Sequence, residues 1–169
     1  DPDPKRLGVP CPVRLTTEQS QVIFPLLIQA QKVQVSSNWT SLVVTIEAEV
    51  ARILVIDDEE QIRTLLKKAL EELGHEVAKA SDGDAGLHLF RENQNDLVIT
   101  DLMMPKKNGL ETIRDLLAEF PEARIIAMTG FDPTRLSKAL ELGALRAIEK
   151  PFHIKELLDA VADALNSNS

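Results

Sequence analysis

The sequence predicts an α/β fold, a doubly wound parallel sheet of five strands with five helices. Three observations predict it. From about residue 51, short apolar runs alternate with amphipathic stretches, the pattern of repeated βα units. Three of the runs are apolar at nearly every position, as strands covered on both faces are. Right-handed crossovers then leave very few topologies open.

The elements follow in order. Arg52–Ile56 reads as the first strand and stops at Asp57-Asp58. Ile62, Leu65, Leu66, Ala69, Leu70 and Leu73 keep helical spacing, and Gly74 stands where a helix stops. Glu76–Lys79 is a more polar strand, suited to a sheet edge. Ser81, with Asp84 three positions on, resembles a cap that opens a helix burying Ala85, Leu89 and Phe90. Asp96–Thr100 is the third strand and stops at Asp101. Asn108 precedes a helix carrying Leu110, Ile113, Leu116 and Leu117, which ends before Pro121. Arg124–Met128 stops at Thr129. Pro133 then opens a helix with Leu136, Ala139 and Leu140, closed by Gly143. Leu145–Glu149 stops at Lys150-Pro151, and a last helix runs from about Ile154 through Leu157, Leu158 and Val161 to Leu165.

Residues 1–50 differ in composition. They hold five of the nine prolines, the single Trp and the single Cys, Cys11, with a Gln/Ser/Thr-rich stretch from Thr16 to Thr45. Ser41 to Ile46 suits a strand, and Ile23, Leu26, Leu27 and Ala30 have helical spacing despite Pro25. Asn38-Trp39-Thr40 matches a glycosylation sequon, which has little use without a secretory signal. No Met precedes Met103, and Ala51 reads like a natural start. Residues 1–50 are therefore read as an N-terminal extension, non-native or partly disordered. Residues 51–166 are read as the functional domain and 167–169 as a tail.

Composition excludes several classes. A net charge of -8, of which residues 51–169 carry -7, argues against a sequence-independent grip on nucleic acid through this domain. One thiol cannot close an internal disulfide. The apolar stretch around Pro25 is far shorter than a membrane span needs. A cytoplasmic location, with no membrane contact, is the expectation.

The strand ends carry the chemistry. If the runs are neighbouring parallel strands, carboxylates, a hydroxyl and an ammonium meet at the carboxyl edge of one sheet, where open α/β sheets bind ligands. Adjacent Asp57 and Asp58 resist joint ionisation unless a cation sits between them. Mg2+ prefers such hard oxygen donors, and Asp58 and Asp101 are the best direct ligands, with Asp57 helping directly or through a water. Asp101 opens the loop Leu102-Met103-Met104-Pro105 and can act as a nucleophile toward phosphorus. Thr129 and Lys150 make a hydroxyl and charge clamp for a transferring phosphoryl group, with Gly130 leaving room for its oxygens. Each residue has an ordinary reading alone. Asp57-Asp58 with Glu59 and Glu60 favours a helix dipole, Asp101 or Thr129 caps a turn, and Lys150 is a solvated lysine. The ordered set is what these readings do not explain.

The run Ile53-Leu54-Val55-Ile56-Asp57-Asp58-Glu59, then Asp101-Leu102-Met103-Met104-Pro105 with Asn108-Gly109, Met128-Thr129-Gly130 and Lys150-Pro151-Phe152, resembles the receiver domain of two-component response regulators. The resemblance covers about residues 51–166. It implies the flavodoxin-like strand order 2-1-3-4-5. Asp101 is then the phosphoacceptor, and Asp57 and Asp58 form an acid pocket holding Mg2+ (or Mn2+). The backbone carbonyl of Met103 completes the ligands, Thr129 and Lys150 contact the phosphoryl oxygens, and the Lys150–Pro151 peptide is cis. The implied partners are a histidine kinase or histidine phosphotransfer protein and a downstream protein target. Such a domain is not a general enzyme but catalyses its own phosphorylation and dephosphorylation. Members of the family often carry Tyr or Phe three residues before the lysine, and here Ala147 stands there. The switch region of Thr129, Gly130 and Ala147 therefore lacks its aromatic half. Apolar Met103 and Phe131 beside the site predict slow self-hydrolysis, since neither side chain can orient a water.

Other readings stay open at this point: a pseudo-receiver that only mediates protein contacts, or the regulatory fragment of a longer transcription factor or output enzyme. A phosphatase is disfavoured, because Met103 stands where a second acid is needed.

Overall fold

The computed structural model describes residues 33–35, 44–46, 50–105, 107–130 and 132–167, and the chain divides into two units, Asp1–Glu49 and Val50–Ser169. In the first unit, β1 (Val33–Val35) pairs antiparallel with β2 (Val44–Ile46), Val33 opposite Ile46. The strand expected over Ser41–Ile46 is thus present over its last three residues. Cys11, the helical spacing around Pro25 and the Asn38-Trp39-Thr40 sequon lie outside the described residues, as does Phe131.

The second unit alternates strand and helix throughout. Its elements are β3 (Arg52–Ile56), α1 (Glu60–Glu72), β4 (Glu76–Ala80), α2 (Gly83–Asn93) and β5 (Leu97–Asp101). They continue with α3 (Gly109–Glu119), β6 (Ile125–Gly130), α4 (Pro133–Leu142), β7 (Arg146–Lys150) and α5 (Ile154–Asn166). The sheet is parallel in the order β4-β3-β5-β6-β7, which is 2-1-3-4-5 counted within this unit. The polar strand β4 lies at one edge, as expected.

Alternation along the strands builds two cores. Ile53, Val55, Ile99, Ile126 and Met128 face one side, where Leu66 and Leu70 of α1 and Leu157 and Val161 of α5 cover them. Leu54, Ile56, Val98, Ile125 and Ala127 face the other, under Leu87, Phe90, Ile113, Leu116 and Ala139. Successive strand side chains point to opposite faces, so unbroken apolar runs feed both layers. Among the described residues, no helix is long and apolar enough to cross a membrane.

Four details differ from the expected pattern. The cap of α2 is Asp82, which accepts from the Ala85 N–H at 2.9 Å, rather than Ser81. That helix buries Leu87 and Phe90, with Ala85 and Leu89 only partly covered. In α1 the buried stripe is Arg63, Leu66 and Leu70, while Leu65 and Leu73 are exposed. In α4 only Ala139 is buried, and Leu140 is exposed.

Asn108, Pro133 and Gly143 stand at the helix boundaries expected of them. Asn108 and Glu111 form a reciprocal capping box at 3.0 and 3.3 Å. Asp132 accepts from the Thr134 and Arg135 amides ahead of Pro133, and Gly143 closes α4 at φ 114°.

Gly109 starts α3 against the strand that carries Asp101. A Cβ there would lie 2.1 Å from the Asp101 carbonyl oxygen and 2.7 Å from Leu102 Cα. Both obstacles are backbone, so neither can rotate away. Gly109→Ala is expected to cost about 3 kcal/mol, read as a lower urea midpoint with unchanged slope. An unchanged midpoint would show that the loop yields freely.

Candidate functional site

The site forms where four parallel strands end. β3 stops at Ile56, and the next residue, Asp57, donates its N–H to the Ala80 carbonyl of β4 at 3.2 Å. Asp101 is the last residue of β5 and lies opposite Met128 in the ladder. Thr129 and Gly130 end β6 opposite Glu149 and Lys150 of β7. β3 ends at Ile56 as expected, whereas β5 and β7 run one residue and β6 two residues further than expected at their carboxyl ends. Asp101, Thr129 and Lys150 are ladder members and not loop residues.

The structure brings Asp57, Asp58 and Asp101 together, with a ligating oxygen of each within 4.8 Å of the others. Asp57 is fully buried, Asp101 nearly so, and Asp58 is exposed. Lys150 Nζ lies 2.7 Å from Asp57 Oδ2 and 3.4 Å from Asp101 Oδ2, with Glu59 Oε1 at 3.9 Å. Asp57 Oδ1 accepts the Glu59 N–H at 2.8 Å, and Asp101 Oδ1 accepts the Met103 N–H at 3.2 Å. Thr129 joins the set by register, fully buried, and its Oγ1 has no hydrogen-bond partner among the described residues. The Lys150–Pro151 peptide is cis. Ala147 is half-buried opposite Ala127.

Burial sets the electrostatics. It pushes the Asp101 carboxyl above its usual range; Lys150 and the Met103 amide pull it back only in part, and Asp57 adds to the rise. Burial alone would lower the Lys150 amine. The hydrogen bond that Lys150 donates to Asp57 and the charges of both aspartates outweigh that and leave it above its usual value.

Three carboxylates around one ammonium leave an excess of negative charge in a water-poor pocket. A divalent cation with hard oxygen ligands suits that excess. The orphaned Thr129 hydroxyl adds a second sign, because a buried polar atom without a partner is costly unless a ligand completes it. The residues present thus fit a divalent cation together with an oxygen-rich anion.

Sequence reasoning missed Arg63. It is buried in α1 and donates Nη1 to the Asp57 carbonyl and Nη2 to Glu60. Its signal was present, since Arg63 stands three residues before Leu66 and seven before Leu70, on the apolar stripe itself. Glu60 was read only as helix-dipole charge. It is a hub, held down to about 2 by Lys79, Arg63 and Thr64.

Comparison with known proteins agrees with this geometry. Residues 53–162 match the family described as response regulator receiver domain. Over 120 residues the chain is 42% identical to the DNA-binding transcriptional regulator NtrC of Azospirillum brasilense, covering 70% of this chain but 25% of NtrC. Over 113 residues it is 38% identical to protein CcdB of Bacillus subtilis, covering 66% of this chain and 94% of CcdB. Among solved structures, response regulator protein TrrA of Thermotoga maritima, in complex with Mg2+-BeF, is 36% identical with a TM-score of 0.63. That match covers 68% of this chain and 99% of TrrA. Fold, strand-end geometry and family match coincide over the same residues, and the chain belongs to the response regulator receiver domains.

Proposed function

We propose that this receiver takes a phosphoryl group onto Asp101 from the phosphohistidine of a histidine kinase or histidine phosphotransfer protein. The observation that carries the reading is the position of Lys150, whose ammonium reaches both Asp57 and Asp101 in a buried pocket. An Asp101 carboxylate oxygen attacks phosphorus, the phosphorus–nitrogen bond breaks, and the electron pair leaves with the imidazole. Lys150 neutralises the oxygens of the transferring group, and the Thr129 hydroxyl, which lacks a partner, donates to one of them. Asp57, Asp58, Asp101 and the Met103 carbonyl would hold Mg2+ or Mn2+, which supplies further charge neutralisation, and TrrA with its Mg2+-BeF supports this.

Readout follows from Thr129. Once its hydroxyl is engaged, the chain after Gly130 adjusts and the surface of α4 and β7 changes for a downstream protein target. With Ala147 in place of an aromatic ring, that change passes through the backbone of β6 and not through a rotating side chain. Exposed Leu65 on α1 and Ile154 on α5 offer apolar contact to a donor's helical bundle. The NtrC match favours a second reading, in which this receiver regulates a longer transcriptional regulator. The full coding sequence separates the two.

The test is incubation with acetyl phosphate and Mg2+, followed by intact mass. One added phosphoryl group is expected, absent when EDTA removes the cation. No gain in mass would overturn the proposal and favour a pseudo-receiver. The same sample, followed after acetyl phosphate is removed, should lose the group slowly, because half-exposed Met103 has no polar group to orient water.

A further inference from the structure

Arg63 is the only cation that the fold buries among the described residues. A buried guanidinium is costly unless its donors are satisfied. Nη1 donates to the backbone carbonyl of Asp57, and Nη2 pairs with Glu60. Glu60 is itself anchored by Lys79 Nζ of β4 at 2.7 Å and by Thr64 Oγ1 at 3.1 Å. The guanidinium is thus fixed to the first turn of α1 and, through Glu60, to the edge strand.

Asp57 takes part in four hydrogen bonds. The Asp57 N–H binds Ala80, its Oδ1 receives the Glu59 amide, and its Oδ2 receives Lys150. The fourth is Arg63 on the carbonyl, and it alone acts at the peptide joining Asp57 to Asp58. On either side of that peptide Asp57 is buried and Asp58 exposed, while both keep an oxygen near Asp101. Outer groups that orient ligands strongly affect metal affinity.

We propose that Arg63 is a positioning residue for the divalent-cation site, fixing the Asp57–Asp58 peptide and thereby setting the affinity for Mg2+. This rests on the reading of Asp57, Asp58 and Asp101 as that site. Charge alone makes the opposite forecast, since a nearby cation repels Mg2+ and its removal would tighten binding.

Titration calorimetry of the full chain with Mg2+ separates them, with urea midpoints measured alongside. Arg63→Met is expected to weaken Mg2+ binding by ~10-fold or more, and Arg63→Lys by less, since an ammonium still offers one donor. Glu60→Gln, an exposed change that leaves the carboxylates of the site in place, should weaken it by about threefold by loosening the guanidinium. A folded Arg63→Met protein that binds Mg2+ as tightly as the parent, or more tightly, overturns the proposal. If Arg63→Met does not fold, unchanged affinity in Glu60→Gln overturns it instead. Failure of the parent chain to bind Mg2+ would overturn the cation site itself, and the role of Arg63 with it.

Discussion

Asp101→Asn is expected to abolish phosphoryl uptake from acetyl phosphate and, at the same time, to stabilise the metal-free protein. The first effect is the loss of the nucleophile, because an amide oxygen does not form a stable acyl phosphate. Uptake should fall to background by intact mass. The second follows from the raised Asp101 carboxyl. Its folded-state value lies above its unfolded one, so the native state holds the proton more tightly between the two. Stability is then greater at low pH and falls as pH rises from the ordinary aspartate value through the folded one, above which the penalty is complete. Asn is neutral and of nearly equal volume, and it removes the penalty. Lys150 keeps its shorter bond to Asp57. The urea midpoint at pH 7 without divalent cation should therefore rise. A lower midpoint, or retained uptake, would show that Asp101 is not the strained acceptor.

Lys150→Met has the opposite sign. Asp57 is fully buried, and its ammonium partner is 2.7 Å away. Removing one member of such a pair strands a charge in a poor solvent and costs about 3 kcal/mol. In the parent, the raised Lys150 value means that its contribution is complete below the ordinary lysine value of 10.5 and is lost only as pH climbs through the higher folded value. In the variant the two buried carboxylates face each other without it. Asp101, whose carboxyl burial already raises, loses the ammonium that pulls it back, and stability should decline more steeply as pH rises from acid. Mg2+ should restore part of the loss, since a divalent cation compensates the same charge. Urea midpoints with and without Mg2+, at two pH values, test this. Equal destabilisation in both conditions would mean that the lysine's packing, and not its charge, supports the fold.

Much of this was legible before any coordinates. The strand order, the capping of α3 by Asn108, the stop at Gly143 and the meeting of Asp57, Asp58, Asp101 and Lys150 follow from periodicity, turn chemistry and the family resemblance. What was not legible has a common physical cause. Strand ends were placed where apolar residues stop, but a ladder is closed by backbone hydrogen bonds and continues through Asp101, Thr129 and Lys150 whatever their side chains. Arg63 escapes the same reading, because apolar spacing gives no weight to a charged residue on the stripe. Asp82 was passed over for Ser81 because both are good caps one residue apart, and only the observed bond to Ala85 distinguishes them. Leu65 and Leu140 keep helical spacing yet lie exposed, since spacing gives a face but not how far its cover extends.

The extension of the ladder into the site has a consequence for how the protein fails. A site built on loops can loosen alone, by a local opening that leaves the rest intact. Here the amides around Asp101, Thr129 and Lys150 belong to strands in the middle and at one side of a single cooperative sheet. Such amides exchange with solvent mainly through opening of the sheet itself. A destabilising change far away in the core should therefore shrink the fraction of competent molecules without altering the chemistry of those that remain folded. Competence at Asp101 is then expected to fall in step with the fraction of molecules whose sheet is intact.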